Sequence, residues 1–188
     1  MALLNILEYP DPRLKKVASR VTAFTPEIER LVADMAETMY AAPGVGLAAP
    51  QVGVPLRIYT YNYADDDGAP WRGAIINPEL WMKPLEPGAP DPDEESEGCL
   101  SFPGERFPLR RSDEVLVTGT DLVGDPVRIQ VDGWRARIMQ HEFDHLDGIL
   151  YVDRLDDGDW KTVQKIARKR GWGRPGSAWT PGIDDVEA

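Results

Sequence analysis

The chain has 188 residues and a formal net charge of −11, a length at which one domain can bury a sufficient core without disulfides or structural metal. The acidic balance argues against general DNA or RNA binding by the whole surface, and no apolar run approaches the ~18 residues of a membrane span. The single cysteine, Cys99, excludes an internal disulfide framework and fits a reducing compartment. The start, "MALLNILEYPDPRLKK", lacks the charged and apolar regions of a secretory signal, so a cytoplasmic location is expected.

Taken in chain order, "TPEIERLVADMAETMYAAPG" predicts a helix over about 26–41. Thr25 is its N-cap candidate, Pro26 takes the first helical position, and Ile28, Leu31, Val32, Met35 and Met39 repeat at helical spacing before Pro43-Gly44. "LRIYTYNYADDDGAPWRGAIINPEL" reads as two strands around an acidic turn, and "KPLEPGAPDPDEESE" as a solvated loop. "DEVLVTGTDLVGDPVRIQVDG" has the alternation and Gly-Asp punctuation of a hairpin. A second helix is expected from near Asp132 to near Gly148, with Trp134, Ile138, His141 and His145 along one stripe. "KTVQKIARKRGWGR" predicts a third helix, after which "PGSAWTPGIDDVEA" reads as a flexible tail. This order of elements predicts an α+β fold in which a mostly antiparallel sheet packs around the second helix. Residues 1–160 would form one catalytic domain, and 161–188 a basic helix and tail.

The second helix carries the chemistry. "QHEFDHLDG" holds both histidines of the chain, His141 and His145, one turn apart, with Glu142 between them. At this spacing a helix offers two nitrogen ligands to a metal and a carboxylate to an activated water. A third protein ligand is then needed. The long metzincin pattern fails, because Tyr151 stands where its third histidine would be. A zincin-type acidic ligand could come from Asp153, Asp156, Asp157 or Asp159. Against it, "EGCLSFPG" presents Cys99, and a thiolate plus two imidazoles leaves a fourth position open. "GVGLAAPQ", residues 44–51, superficially matches a dinucleotide fingerprint, but a helix precedes it and Pro50 stops an immediate continuation into another. A tight extended segment suits it better, its glycines allowing close approach and Gln51 offering an amide donor. Glu97 and Asp144 flank the proposed ligands, and Arg111 or its neighbour Arg110 is near enough in sequence to pair with one of them. Ligating histidines usually donate their second N–H to such a partner.

"GVGLAAPQ", "EGCLS" and "QHEFDHLDG", in that order and after "ILEYPDPRL", resemble the signatures of the peptide deformylase family over roughly residues 3–155. The resemblance implies removal of the N-formyl group from proteins that begin with formylmethionine, in the bacterial cytoplasm. It implies Cys99, His141 and His145 as metal ligands, Glu142 as general acid/base, and Gln51 with the Leu100 N–H as oxyanion donors. Ligand chemistry alone points to zinc; the resemblance implies Fe(II) in the cell, with Zn, Ni or Co able to replace it. Val45, Leu100, Ile138 and Trp134 would line the methionine pocket, with Gly46 and Gly98 beside the peptide backbone. Trp134 and Arg137 stand where the family more often has smaller aliphatic residues. The basic run Lys161, Lys165, Arg168, Lys169, Arg170 and Arg174 has no acidic residue within it, and suggests contact with ribosomal RNA. Deleting 161–188 would then spare hydrolysis of a short peptide.

Overall fold

The computed structural model describes residues 2–64, 68, 70–173 and 176–184. Its largest sheet has five antiparallel strands in the order β2-β3-β4-β7-β8, where β2 is Gly46–Ala48, β3 Ile58–Ala64, β4 Pro70–Met82, β7 Glu114–Thr120 and β8 Pro126–Asp132. The two predicted strand pairs are β3–β4 and β7–β8; most of the acidic turn between the first two, Asp65, Asp66, Asp67 and Ala69, lies outside the described residues. In β4 the pairing slips between Ile76 and Glu79, where Asn77 adopts φ 52°. Its amide exchanges two hydrogen bonds with the backbone of Val21, at 2.8 and 2.9 Å, so the irregularity ties the N-terminal segment to the sheet.

Helix α1, Pro26–Ala41, covers one part of the sheet with Val32, Met35 and Met39, the buried members of its predicted apolar stripe. Thr25 sits at the N-cap position, but its side chain makes no cap hydrogen bond. Helix α2, Gly133–Leu146, packs against β2, β3, β7 and β8. Buried Ala136, Ile138, Met139 and Leu146 anchor it in a cluster with Tyr59, Ile75 and Val117. It stops in a Schellman arrangement: Gly148 N–H donates to His145 O and Ile149 N–H to Asp144 O. Gly148 has φ 71°, and a Cβ there would lie 2.6 Å from Lys15 O, so only glycine fits. Arg57 donates to Leu146 O and pairs with Asp147 at 2.6 Å, setting a cation at the negative end of the helix.

Two small sheets complete the fold. Strands β5, Ser96–Cys99, and β6, Phe102–Pro108, form a hairpin whose tip is Leu100-Ser101. Strand β1, Ile6–Leu7, pairs antiparallel with β9, Ala178–Trp179. This pairing corrects the expectation of a trailing tail. After α3, Asp157–Arg170, the chain returns to the N-terminus and buries Trp179 in the core with Ile6 and Met35. Trp179 is a large apolar ring, and a strand edge offered by β1 gives its segment backbone partners. Residues 174–175 and 185–188 of this stretch, including Arg174 of the basic run, lie outside the described residues. Among the described residues no helix is long and apolar enough to cross a membrane.

Candidate active site

Cys99 Sγ, His141 Nε2 and His145 Nε2 converge, all within 4.8 Å of one another, and no other such group of His, Cys, Asp and Glu donors occurs among the described residues. The two imidazole nitrogens are 3.2 Å apart and the sulfur is 3.3 Å from His145. None of the four acidic alternatives belongs to this group, and two of them are engaged elsewhere. Asp156 caps α3 through Gly158 and Asp159, and Asp153 accepts from Leu150 N–H and pairs with Lys15. A thiolate and two imidazoles with no carboxylate among them suit a divalent transition metal in an open tetrahedral site.

Beneath the histidines lies a buried ionic layer. The carboxylate of Glu97 accepts from His141 Nδ1 at 2.6 Å, leaving the Nε2 lone pair facing the cluster. Arg111 grips Glu97 through two nitrogens, at 3.0 and 2.7 Å, and reaches Asp144 at 2.6 Å. Asp144 in turn accepts two hydrogen bonds from Arg154. Burial alone would raise the Glu97 carboxyl, yet Arg111 and His141 outweigh it and hold it well below the ordinary carboxylate range. The sequence places Glu97, Asp144 and Arg111 near the candidate ligands; the structure joins them in one chain of ion pairs. Arg110, the alternative, faces Glu95 and Ala89 O instead.

Glu142 lies one residue from His141 with Oε2 buried and no hydrogen-bond partner. Burial pushes its carboxyl up to about 7, with the nearby Glu97 adding to the rise and His141 opposing it. Gly46 touches this carboxylate: a Cβ there would stand 2.1 Å from Glu142 Oε1. The glycine expected beside a substrate backbone thus also makes room for Glu142. Gln51 sits in a 3-10 turn, Ala49–Val52, that directly follows β2. Its Oε1 accepts from Ala48 N–H at 2.8 Å, which turns Nε2 toward Ser101 Oγ at 3.2 Å and Cys99 Sγ at 3.6 Å.

A cavity of about 430 Å³ opens over these groups. Val45, Gly46, Gly98, Trp134 and Ile138, all predicted to face substrate, line it with Gln51, Leu100 and Glu142. Val45 and Trp134 are exposed at its rim, whereas Ile138 is buried.

The family follows from this geometry together with the sequence relatives. The polypeptide deformylase family model matches residues 3–160. The chain belongs to the peptide deformylase family. A peptide deformylase of Rhodococcus opacus is 46% identical over 186 residues, covering 97% of this chain and 95% of that protein. Peptide deformylase 2 of Corynebacterium efficiens is 43% identical over 187 residues, covering 98% and 96%. Among solved structures, the peptide deformylase of Ehrlichia chaffeensis superposes with a TM-score of 0.79 at 32% identity, covering 92% of this chain and 99% of that one. That of Legionella pneumophila gives 0.74 at 37% identity, covering 93% and 100%. The chain is therefore a hydrolase that removes the N-formyl group from N-terminal formylmethionine, in a family that depends on a metal.

Three features of this deformylase site escaped the sequence reading. Arg137, read only as an unusual residue beside the pocket, is buried and donates to Glu97 at 3.1 Å and Leu109 O at 2.7 Å, with its guanidinium stacked 5.2 Å from the Trp134 ring. Gln140 clasps the backbone of Ser112 through both ends of its amide, locking α2 to the segment that carries Arg111. Trp179 lines the cavity and donates to Leu100 O at 2.9 Å. The first two sit beside quoted motif residues; nothing local in the sequence marks the third.

Proposed function

We propose that Cys99, His141 and His145 hold the catalytic ion and that the surrounding side chains carry out the deformylation. The observation that carries this reading is the convergence of those donors beside a buried, unpartnered Glu142 oxygen, at a cavity that Gln51, Leu100 and Ile138 also line. A divalent ion held by Cys99, His141 and His145 would supply Lewis-acid activation of a water at neutral pH. Glu142 takes a proton from the attacking water as the water oxygen adds to the formyl carbon, and delivers it to the amine nitrogen when the C–N bond breaks. Gln51 Nε2 and the Leu100 N–H donate to the carbonyl oxygen as it gains charge. Glu97, held by Arg111 and Arg137, keeps His141 in the tautomer and orientation that ligation needs. Val45, Leu100, Trp134 and Ile138 receive the methionine side chain, while Gly46 and Gly98 face the peptide backbone. The products are formate and a free N-terminus. The donor set suits Fe(II), Zn, Ni or Co, and Fe(II) is the ion we assign in the cell, where the enzyme works in the bacterial cytoplasm.

Protein purified without oxygen should contain one divalent ion per chain, release formate from formyl-Met-Ala-Ser and leave acetyl-Met-Ala-Ser intact. Binding of the ion without turnover would reduce the site to a metal-binding module, and cleavage of an internal peptide bond would make it a peptidase.

The ribosome is the proposed source of the substrate, with α3 as the contact. Lys161, Lys165, Arg168 and Lys169 are exposed along it, and Val163 and Ala167 bury its opposite face. Changing Lys161, Lys165 and Lys169 together to Glu should weaken co-sedimentation with ribosomes in low salt and spare peptide hydrolysis. Undiminished co-sedimentation would remove α3 from that role.

A further inference from the structure

The turn after Cys99 is held from outside at two successive carbonyls. Trp179 Nε1–H donates to Leu100 O at 2.9 Å, and Tyr9 N–H donates to Ser101 O at 2.8 Å. Both donors come from the β1–β9 sheet or its immediate end, and that sheet is tied further by Glu8 N–H to Ser177 O and by Thr180 Oγ1 to Asn5. Leu100 C=O and Ser101 N–H belong to one planar peptide and point in opposite directions. Anchoring the carbonyl on the indole therefore turns the Ser101 N–H to the other side, where it lies 3.4 Å from Cys99 Sγ. The Leu100 side chain packs closely on Gly44, where a Cβ would meet its Cδ1 at 2.7 Å.

We propose that Trp179 is a positioning residue of the deformylase site: its indole N–H orients the Leu100–Ser101 peptide so that Ser101 N–H donates to the Cys99 thiolate and Leu100 stays at the oxyanion position. This rests on the assignment of Cys99 as a ligand and Leu100 as a donor. It makes the C-terminal strand, which lies beyond the stretch matched by the family model, a working part of the site. It also reverses the expectation that residues 161–188 can be deleted without touching peptide hydrolysis. An amide donor to a thiolate draws charge from the sulfur, and it is lost when the peptide can rotate.

The test is Trp179→Phe, which keeps an apolar ring and removes only the N–H with the outer ring edge. With cobalt fully loaded, the variant should show kcat for formyl-Met-Ala-Ser reduced roughly five- to tenfold, the equivalent of one net hydrogen bond, with KM nearly unchanged. Its thiolate-to-cobalt charge-transfer band should move to lower energy, because a sulfur without its N–H donor holds its electrons less tightly. Wild-type kcat and band position would overturn the proposal. A fall in kcat with the band unmoved would overturn it too, since the indole would then act on the pocket alone. If Trp179→Phe does not fold, benzothienylalanine at 179 replaces the N–H by sulfur at constant shape, and the same two readouts decide. Should the wild-type protein release no formate, the deformylase reading fails, whereas the band shift still reports whether Trp179 governs the thiolate.

Discussion

The two halves of the proposed metal site are held by different means. His141 and His145 ride on one helix, four residues apart, and their support comes from a buried layer of charge: Glu97, Arg111, Arg137, Asp144 and Arg154. Cys99 rides at the end of a short strand beside a two-residue turn, and its support is a ring of neutral hydrogen bonds from Gln51, Tyr9 and Trp179. On the helix side the distance between ligands follows from backbone geometry, and charge sets only the tautomer. On the turn side the one local donor to the sulfur is Ser101 N–H, and segments from both ends of the chain hold the turn that carries it. A buried ionic layer is strong only when complete, because breaking one pair strands the partners. A set of neutral donors degrades in smaller steps.

That contrast can be broken most severely at the groups in the centre. His141→Ala and Cys99→Ser should each lose most of the ion, measured by metal analysis after gel filtration; stoichiometric metal in either would unseat that ligand. Glu142→Ala should retain the ion and lose roughly 10²–10⁴-fold in kcat, since in the proposed mechanism the side chain moves a proton and does not ligate. Gln51→Ala comes next, with a fall in kcat of roughly 10²–10³ at normal metal content; a near-normal kcat would mean the oxyanion is held by other donors.

The supporting layers should show smaller and distinguishable effects. Glu97→Ala leaves Arg111, Arg137 and His141 Nδ1 without their acceptor. Metal affinity should fall roughly 10–100-fold in a chelator competition, and unfolding should cost about 3–5 kcal/mol less in urea. Unchanged affinity would confine Glu97 to stability. At the outer end of the same layer, Arg154 is 43% exposed on its pair with Asp144. Arg154→Ala should therefore cost under about 1 kcal/mol and leave metal affinity intact, the pair being screened by water. A loss as large as that of Glu97→Ala would show the layer to be cooperative out to its exposed edge.

Much of the molecule was legible from local pattern. The stripe of α1, the paired strands β3–β4 and β7–β8, and the start and stop of α2 all rest on periodicities and turn residues that act within about ten positions. His141 and His145 were readable for the same reason, and Glu97 and Arg111 because each lies near a recognisable motif. Arg137 is legible in part: its place on the helix puts it beside the pocket, and it does line the cavity, but nothing local shows that its guanidinium pairs with Glu97. The C-terminal stretch reads as a tail because its prolines and glycines offer no periodicity, and a strand of two residues has none to show.

By itself, then, the sequence determined the inventory of the site: one thiolate, two imidazoles a helical turn apart, a carboxylate between them and an amide on a glycine-flanked segment. Covalent spacing and helix geometry suffice for that. Only the tertiary structure decided that Arg111 and Arg137 share Glu97, and that Trp179 grips the carbonyl next to Cys99. Those contacts join residues 14, 40 and 79 positions apart, and packing of α2 on the sheet and of β9 on β1 is what brings them together. Their hydrogen bonds exist because buried donors and acceptors in those places must find partners, a demand that appears only once the core has closed.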